Sequence, residues 1–287
     1  MTTQNDLEVI MEFLGLNEED LAAKLSIDRK TVSRWRRNEV DISARKLEDV
    51  YSFAFEHRIY LNRYKEMLLR EEYEVDDEIV LFHGAKTVLD GDVDLVHSKR
   101  FNDFGCGFYL GESYEQAVTY NSLSSSHHVY GFKLNMKGLE IMRFSVSRNW
   151  MLAIAYYRGW IHISPDSAVF RDLIEKIEDA DVIVAPIADN RMFGIINEFA
   201  QGEITDEQCE HALSATNLGL QYIIKKGKAL RQLELLKELY VCSREIDFYR
   251  ERRDELRNQS IDKARVARTQ YRGKGKYLEE ILYASTD

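Results

Sequence analysis

VLFHGAK, residues 80–86, ends an apolar β-branched run on a histidine–glycine pair. Further on, FGCGFYLGESYEQA, residues 104–117, sets Gly105 and Gly107 two apart and follows them with Phe108 and Tyr109. A polar, helix-like run then opens near Ser113. The first stretch reads as a strand, the second as a glycine turn that projects an aromatic pair toward a helix start. Working outward, HVYGFKLNM places Tyr130, Phe132, Leu134 and Met136 on one face at period 2, a third strand. DVIVAPI (181–187) and LQYIIK (220–225) read as further strands. SRNWMLAIAYYRGW and TDEQCEHALSA read as helices, the latter with Thr205 or Asp206 as N-cap. Residues 1–74 read as almost wholly helical. After Gly227 the pattern turns helical again, with Leu233, Leu236 and Tyr240 at i, i+3 and i+7. The expectation is an α+β protein in three parts: a helical domain over 1–74, a mixed domain over 75–230 and a charged helical tail over 231–287.

Composition narrows the class. A chain of 287 residues with 45% hydrophobic content buries a real core. Its apolar runs, such as MLAIAYY (151–157), are too short to span a bilayer. MTTQNDLEVI lacks the basic-then-apolar pattern of a secretory signal. Cys106, Cys209 and Cys242 are odd in number and widely spaced, which fits a reducing cytoplasm better than a disulfide framework. His127 and His128 are adjacent, with no spacing suited to a metal, so no metal is expected. No G-x-x-x-x-G-K-[ST] and no G-x-S-x-G is present. The net charge is −10, but it is unevenly spread: residues 28–46 carry seven basic and three acidic side chains, and residues 244–276 eleven and six. Such local patches govern contact with phosphates more than the total does.

The first patch belongs to NEEDLAAKLSIDRKTVSRWRRNEVDIS (17–43). Leu21, Ala22 and Leu25 share a face, SID makes a turn, and Asp28 caps a second helix that sends Val32 and Trp35 inward. Arg29, Lys30, Ser33, Arg34 and Arg37 lie on the other face, the pattern of a recognition helix. The segment resembles the phage-repressor-like helix-turn-helix family. Asn38 stands where that family usually has a glycine, and Glu18 where it often has a phosphate-contacting glutamine. The resemblance implies DNA as a partner of residues 17–43; the alternative is a bundle used for protein contacts or homodimerisation.

The pair VLFHGAK and GCGFYLGES, in this order and on these element types, resembles the first two motifs of the ADP-ribosyltransferase superfamily, in its histidine–tyrosine–glutamate branch. It is similar to bacterial domains of unknown function placed there, whose later signposts resemble APIADNR (185–191), EFAQGEITDEQ and LQYIIKKGKAL. The resemblance implies a split β-sandwich with helices, and NAD as substrate. On it, His83 bonds a ribose hydroxyl, Gly84 lets the NAD amide approach the backbone, and Tyr109 stacks on nicotinamide beside Phe108. The reaction passes through an oxocarbenium-like state, for which negative charge beside the ribose is wanted. The third motif departs from the pattern: where a glutamate belongs, the strand carries Gln221, which has neither charge nor basicity. Glu198, Asp189 and Glu203 are the candidate replacements, Glu198 foremost. The implied protein is a cytoplasmic NAD-dependent toxin or defence effector held by a cognate inhibitor. The alternatives are a non-enzymatic regulator that senses NAD or a nucleotide, and an NAD glycohydrolase.

Overall fold

A computed structural model describes residues 3–90, 93–95, 98–214 and 218–283. Five helices open the chain: α1 (Thr3–Leu14), α2 (Glu18–Lys24), α3 (Arg29–Arg36), α4 (Ala44–Glu56) and α5 (Leu61–Tyr73). Their apolar faces close on Leu7, Ile10, Leu21, Val32, Trp35, Val50 and Ala54. Ser26 takes a left-handed φ in the turn between α2 and α3, Asp28 accepts from the Lys30 N–H to cap α3, and Asn38 takes a left-handed φ after it. Asparagine visits this conformation more readily than most residues, which is why it serves where a glycine is usual.

The middle of the chain builds β1 (Glu78–Ala85), β2 (Phe108–Gly111), α6 (Tyr114–Asn121), β3 (His128–Asn135), β4 (Ile141–Arg143) and α7 (Arg148–Tyr157). A π-helical segment, Phe170–Glu175, runs into α8 (Lys176–Asp179). Then come β5 (Val182–Pro186), α9 (Asn190–Ala200), α10 (Asp206–Ser214), β6 (Leu220–Ile224), α11 (Gly227–Leu230) and β7 (Leu233–Leu239). The strands form one open sheet in the order β4-β5-β6-β2-β1-β3-β7, with β4 and β5 parallel and the other pairs antiparallel. One face buries Leu81, Phe108, Leu110, Tyr130, Phe132, Leu134, Val182, Val184 and Ile224. The opposite face packs Ile183, Ala185 and Ile223 against α7, α9 and α10, and Val80, Phe82 and Val129 against α6. β1 matches β3 along its whole length but β2 at one position, Phe82 opposite Gly111. The sheet is therefore nearly parted at its centre.

Ser113 forms a capping box with Gln116 and starts α6 directly after β2, as the sequence indicates. Thr205 Oγ1 accepts from the Gln208 N–H and so caps α10.

The helix expected over 233–240 is a strand, β7. Opposite the bulge at Gly131/Phe132, Lys237 and Leu235 are matched and Leu236 is the extra residue. An extra residue breaks the period of two. Leu233 packs on the Leu81 face of the sheet, Leu236 on the Val80 face and Tyr240 against the helical domain, so the spacing that imitates a helical stripe joins three different environments. The mixed region accordingly runs past 230 to the end of β7.

The C-terminal part is α12 (Ser243–Gln270) and α13 (Leu278–Tyr283). Rather than projecting as a tail, α12 straps the molecule together. Its start meets the helical domain, with Arg244 paired to Glu56 at 2.9 Å and the Ser243 N–H donating to Glu48 at 3.0 Å. Arg252 pairs with Glu115 of α6 at 3.1 Å, Arg250 donates to the Ser122 carbonyl, and Arg268 pairs with Glu198. Ala264 and Leu278 enter the core behind the sheet. No helix among the described residues is long and apolar enough to cross a membrane.

Candidate functional site

The site is built where β1 and β2 part. His83 lies on β1, and its Nδ1 is 2.7 Å from the carbonyl oxygen of Tyr109 on β2. A carbonyl only accepts, so Nδ1 carries the proton and Nε2 is left as the acceptor. Burial holds the pKa of His83 below the ordinary histidine value, outweighing the opposing bond to Tyr109. The ring is thus a neutral, oriented acceptor. It stacks on Phe108 with centroids 4.3 Å apart and planes 29° apart.

Gly84 has a packing reason. A Cβ there would stand 2.3 Å from the Ala117 carbonyl oxygen, so the bare backbone is what lets α6 lie against β1. The close approach expected of a ligand at Gly84 is, on the side where its side chain would point, an approach of α6.

Side chains alternate along β2, so Phe108 and Tyr109 face opposite ways. Phe108 joins His83, whereas the Tyr109 hydroxyl donates to the Gly105 carbonyl at 2.8 Å and accepts from the Phe104 N–H at 3.2 Å. The glycine turn serves this arrangement: Gly105 has φ +70°, and a Cβ on Gly107 would meet Ile223 Cγ2 at 2.6 Å. The ring beside His83 is therefore that of Phe108. Tyr109 is fastened to its own turn on the other face.

Gln221 shares that other face with Tyr109. On β6, Leu220, Tyr222 and Ile224 turn to one side, and Gln221, Ile223 and Lys225 to the other, as period 2 predicts. Gln221 is buried, and its Nε2 donates to Asp103 Oδ2 and to the Pro186 carbonyl, each at 3.2 Å. Asp103, also buried, accepts through Oδ1 from Arg158 Nε at 3.2 Å and Nη2 at 2.7 Å. The Arg158 guanidinium lies 3.4 Å from the centre of the Phe193 ring. Burial raises the pKa of Asp103, and Arg158 and Gln221 oppose the rise.

Asp103 is the acid that sequence reading passed over. Its one signal is an aspartate immediately before the FGCG turn, in a chain where acidic residues are too common to stand out. Glu198 faces Arg268 on α12, its Oε2 2.5 Å from Nη2, so the structure gives this candidate acid to the strap and not to Gln221. Asp189 is the N-cap of α9, accepting from the Arg191 and Met192 N–H groups, and Glu203 is exposed. None of the three is joined to Gln221, whose partners are Asp103 and Pro186.

A cleft of about 390 Å³ lies at the end of the parting away from His83, between Arg70 and Glu74 of α5, Ile79 and Leu81 of β1, Glu112 and Tyr222. On α3, Arg29, Lys30, Arg34 and Arg37 are exposed and Ser33 is half-buried. Glu18 pairs with Arg29 at 3.8 Å and Arg36 at 2.9 Å; Glu39 pairs with Arg34 at 4.0 Å and Arg37 at 3.1 Å. Ser33 Oγ accepts from Arg37 at 2.6 Å. Glu18 thus holds two arginines of its own domain. Among the described residues no cluster of three or more His, Cys, Asp or Glu could hold a metal ion.

A protein-family model matches residues 79–235, from β1 into β7 and so across both halves of the parted sheet. The chain belongs to DUF3990, a family described as a protein of unknown function. His83, Phe108, Tyr109, Asp103 and Gln221 all lie within the DUF3990 region; the helical domain and α12 lie outside it. No curated protein matches the sequence significantly.

Proposed function

We propose that the chain binds NAD at the parting of β1 and β2 and transfers ADP-ribose to a cellular macromolecule. The finer architecture that goes with this reading is a split β-sandwich of the ADP-ribosyltransferase type, divided where β1 and β2 share a single residue pair. The observation that carries it is His83, held neutral with Nε2 as its acceptor at that division. A ribose hydroxyl is the donor that suits it. Phe108 supplies an aromatic wall beside it, a contact worth ~0.5–1.5 kcal/mol beyond area burial. On the other face Gln221 offers an amide in place of the expected carboxylate.

The exposed cations of α3 support DNA as the partner of the helical domain, so that the NAD-using region works beside nucleic acid. Restraint by an inhibitor protein and a cytoplasmic setting belong to the same reading. The amide at 221 favours one alternative, a regulator that binds NAD without turning it over and shifts the state of α3.

The test is incubation of the full chain with adenylate-labelled NAD and cell lysate, following released nicotinamide and label in protein, DNA and RNA. Label in one fraction, lost in His83→Ala, is the expected result and names the acceptor class. Nicotinamide without label marks a glycohydrolase. NAD binding without nicotinamide marks the sensor, and no binding at all ends the NAD reading.

A further inference from the structure

We infer that Gln221 is a built hydrogen-bond acceptor, fixed in one orientation by Asp103, and that its substrate partner is a hydroxyl donor such as a ribose diol. The inference rests on the NAD reading above and concerns how the neutral residue at 221 works.

An amide nitrogen has two hydrogens to give. Those of Gln221 go to Asp103 Oδ2 and the Pro186 carbonyl, both at 3.2 Å. Each of these partners is an acceptor, so reversing the amide would set Oε1 against two oxygens with nothing to donate. The nitrogen end is thereby locked, and the carbonyl oxygen is what Gln221 has left to present to a ligand. Asp103 is itself immobilised: Arg158 grips its other oxygen through Nε and Nη2, and Phe193 backs the guanidinium. With Asp103 and Gln221 only 7% and 8% exposed, water does not replace a lost partner cheaply.

The same geometry argues against a glutamate at 221. A carboxylate there has no hydrogen for Asp103 or Pro186 and brings a second negative charge against the first. The position is thus shaped for an amide by its neighbours. It is not simply the place of an acid that has lost its charge. Asp103 acts through Gln221 and is a positioning residue.

The experiment measures NAD affinity by calorimetry, kcat and KM for nicotinamide release, and thermal melting, on the full chain. The variants are Gln221→Glu, Gln221→Met, Asp103→Asn and the double variant Asp103→Asn/Gln221→Glu. Gln221→Glu should lose about tenfold or more in NAD affinity, and Gln221→Met, which keeps the volume but offers no amide, a similar factor. Asp103→Asn should lose about fivefold or more, since Arg158 holds its one amide oxygen and its NH2 group then faces Gln221 Nε2, which undoes the lock on that amide. The double variant should regain about fivefold or more over Gln221→Glu, because the amide introduced at 103 then donates to the carboxylate introduced at 221. A purely structural pair would move melting alone, with affinity and KM unchanged.

Gln221→Glu or Gln221→Met binding NAD as well as the parent, or a double variant no better than Gln221→Glu, overturns the inference. If the parent neither binds NAD nor releases nicotinamide, the NAD reading falls and this inference with it. If His83→Ala impairs NAD use while the Gln221 variants do not, this inference falls alone.

Discussion

At the residue scale, His83 is the side chain whose chemical state is best determined. Its proton sits on Nδ1 because the Tyr109 carbonyl only accepts, and burial disfavours the imidazolium. His83→Ala should cost about tenfold or more in NAD affinity, the usual penalty for removing one buried hydrogen-bond partner. Calorimetry on the variant, with its circular dichroism unchanged, is the check. The sign of the pH effect follows from the lowered pKa. In the unfolded chain His83 titrates near ~6.5, so its contribution to stability is complete above that value. It is lost as pH falls through the lower folded-state value. NAD binding should weaken over the same acid range, and a binding profile that is flat in acid would count against the neutral acceptor. Gly84→Ala makes a different point. Its Cβ would meet the Ala117 carbonyl oxygen at 2.3 Å, a clash with backbone rather than with a flexible side chain. A loss of roughly 1–3 kcal/mol is expected in urea unfolding.

At the element scale, the informative pieces are β7 and α3. The spacing of Leu233, Leu236 and Tyr240 reads as a helical stripe, but the segment pairs with β3 as a strand in which Leu236 is an extra, bulged residue. Alternation in sequence cannot register a bulge, since its cause is the partner strand. For α3 the local signals hold: Asp28 caps it, Val32 and Trp35 are buried, and the cations face out. The pairing of Arg29 and Arg36 with Glu18 was not legible, because it depends on how α2 crosses α3. Glu18 is only partly exposed, and its pairs with the more exposed Arg29 and Arg36 are the ones to break in testing the face. Glu18→Gln should release Arg29 and Arg36, tighten binding to duplex DNA a few-fold, and steepen its salt dependence by roughly one phosphate contact. Titrations at two salt concentrations decide it. Equal affinities and slopes would separate α3 from DNA.

At the scale of the whole molecule, the helical domain, the sheet and α12 meet in a buried polar junction. Asn62 of α5 sets its Nδ2, with two hydrogens to give, within reach of three acceptors: the Tyr114 hydroxyl of α6 at 2.9 Å, Glu245 of α12 at 2.9 Å and the Tyr240 carbonyl at 2.8 Å. Beside it Lys65 pairs with Asp6 at 2.8 Å, and Tyr51 donates to the same carboxylate. Burial pushes the Glu245 carboxyl up to about 7, against the bonds from Asn62 and Tyr114 and the charges of Lys65 and Arg63. A raised carboxyl pKa means that the folded state binds the proton more tightly. The stability this contributes is complete below the ordinary glutamate value and is lost as pH rises through about 7. Glu245→Gln should therefore match the parent near pH 4.5 and melt at higher temperature at pH 8, by up to about 3 kcal/mol. A gap that does not widen between those pH values would remove Glu245 from this role. Because α6 starts directly after β2, the same junction joins the helical domain to the strand that carries Phe108 and Tyr109.

Local chemistry determined much of this protein in advance. Period 2 in 128–136 and 220–225, the caps at Asp28, Ser113 and Thr205, and the glycine turn before Tyr109 are decided by neighbours a few residues away. The sequence therefore yields the α+β order and most element types. What only the tertiary structure decided is every relation across long separations. Those are the ring that meets His83, the acid that meets Gln221, the partner of Glu198, and the closing of α12 over both halves. Strand alternation put Phe108 and Tyr109 on opposite faces, but which face belongs to His83 depends on the register of β1 against β2. Asp103 and Gln221 are joined by packing across more than a hundred residues of chain, and no spacing rule reaches that far.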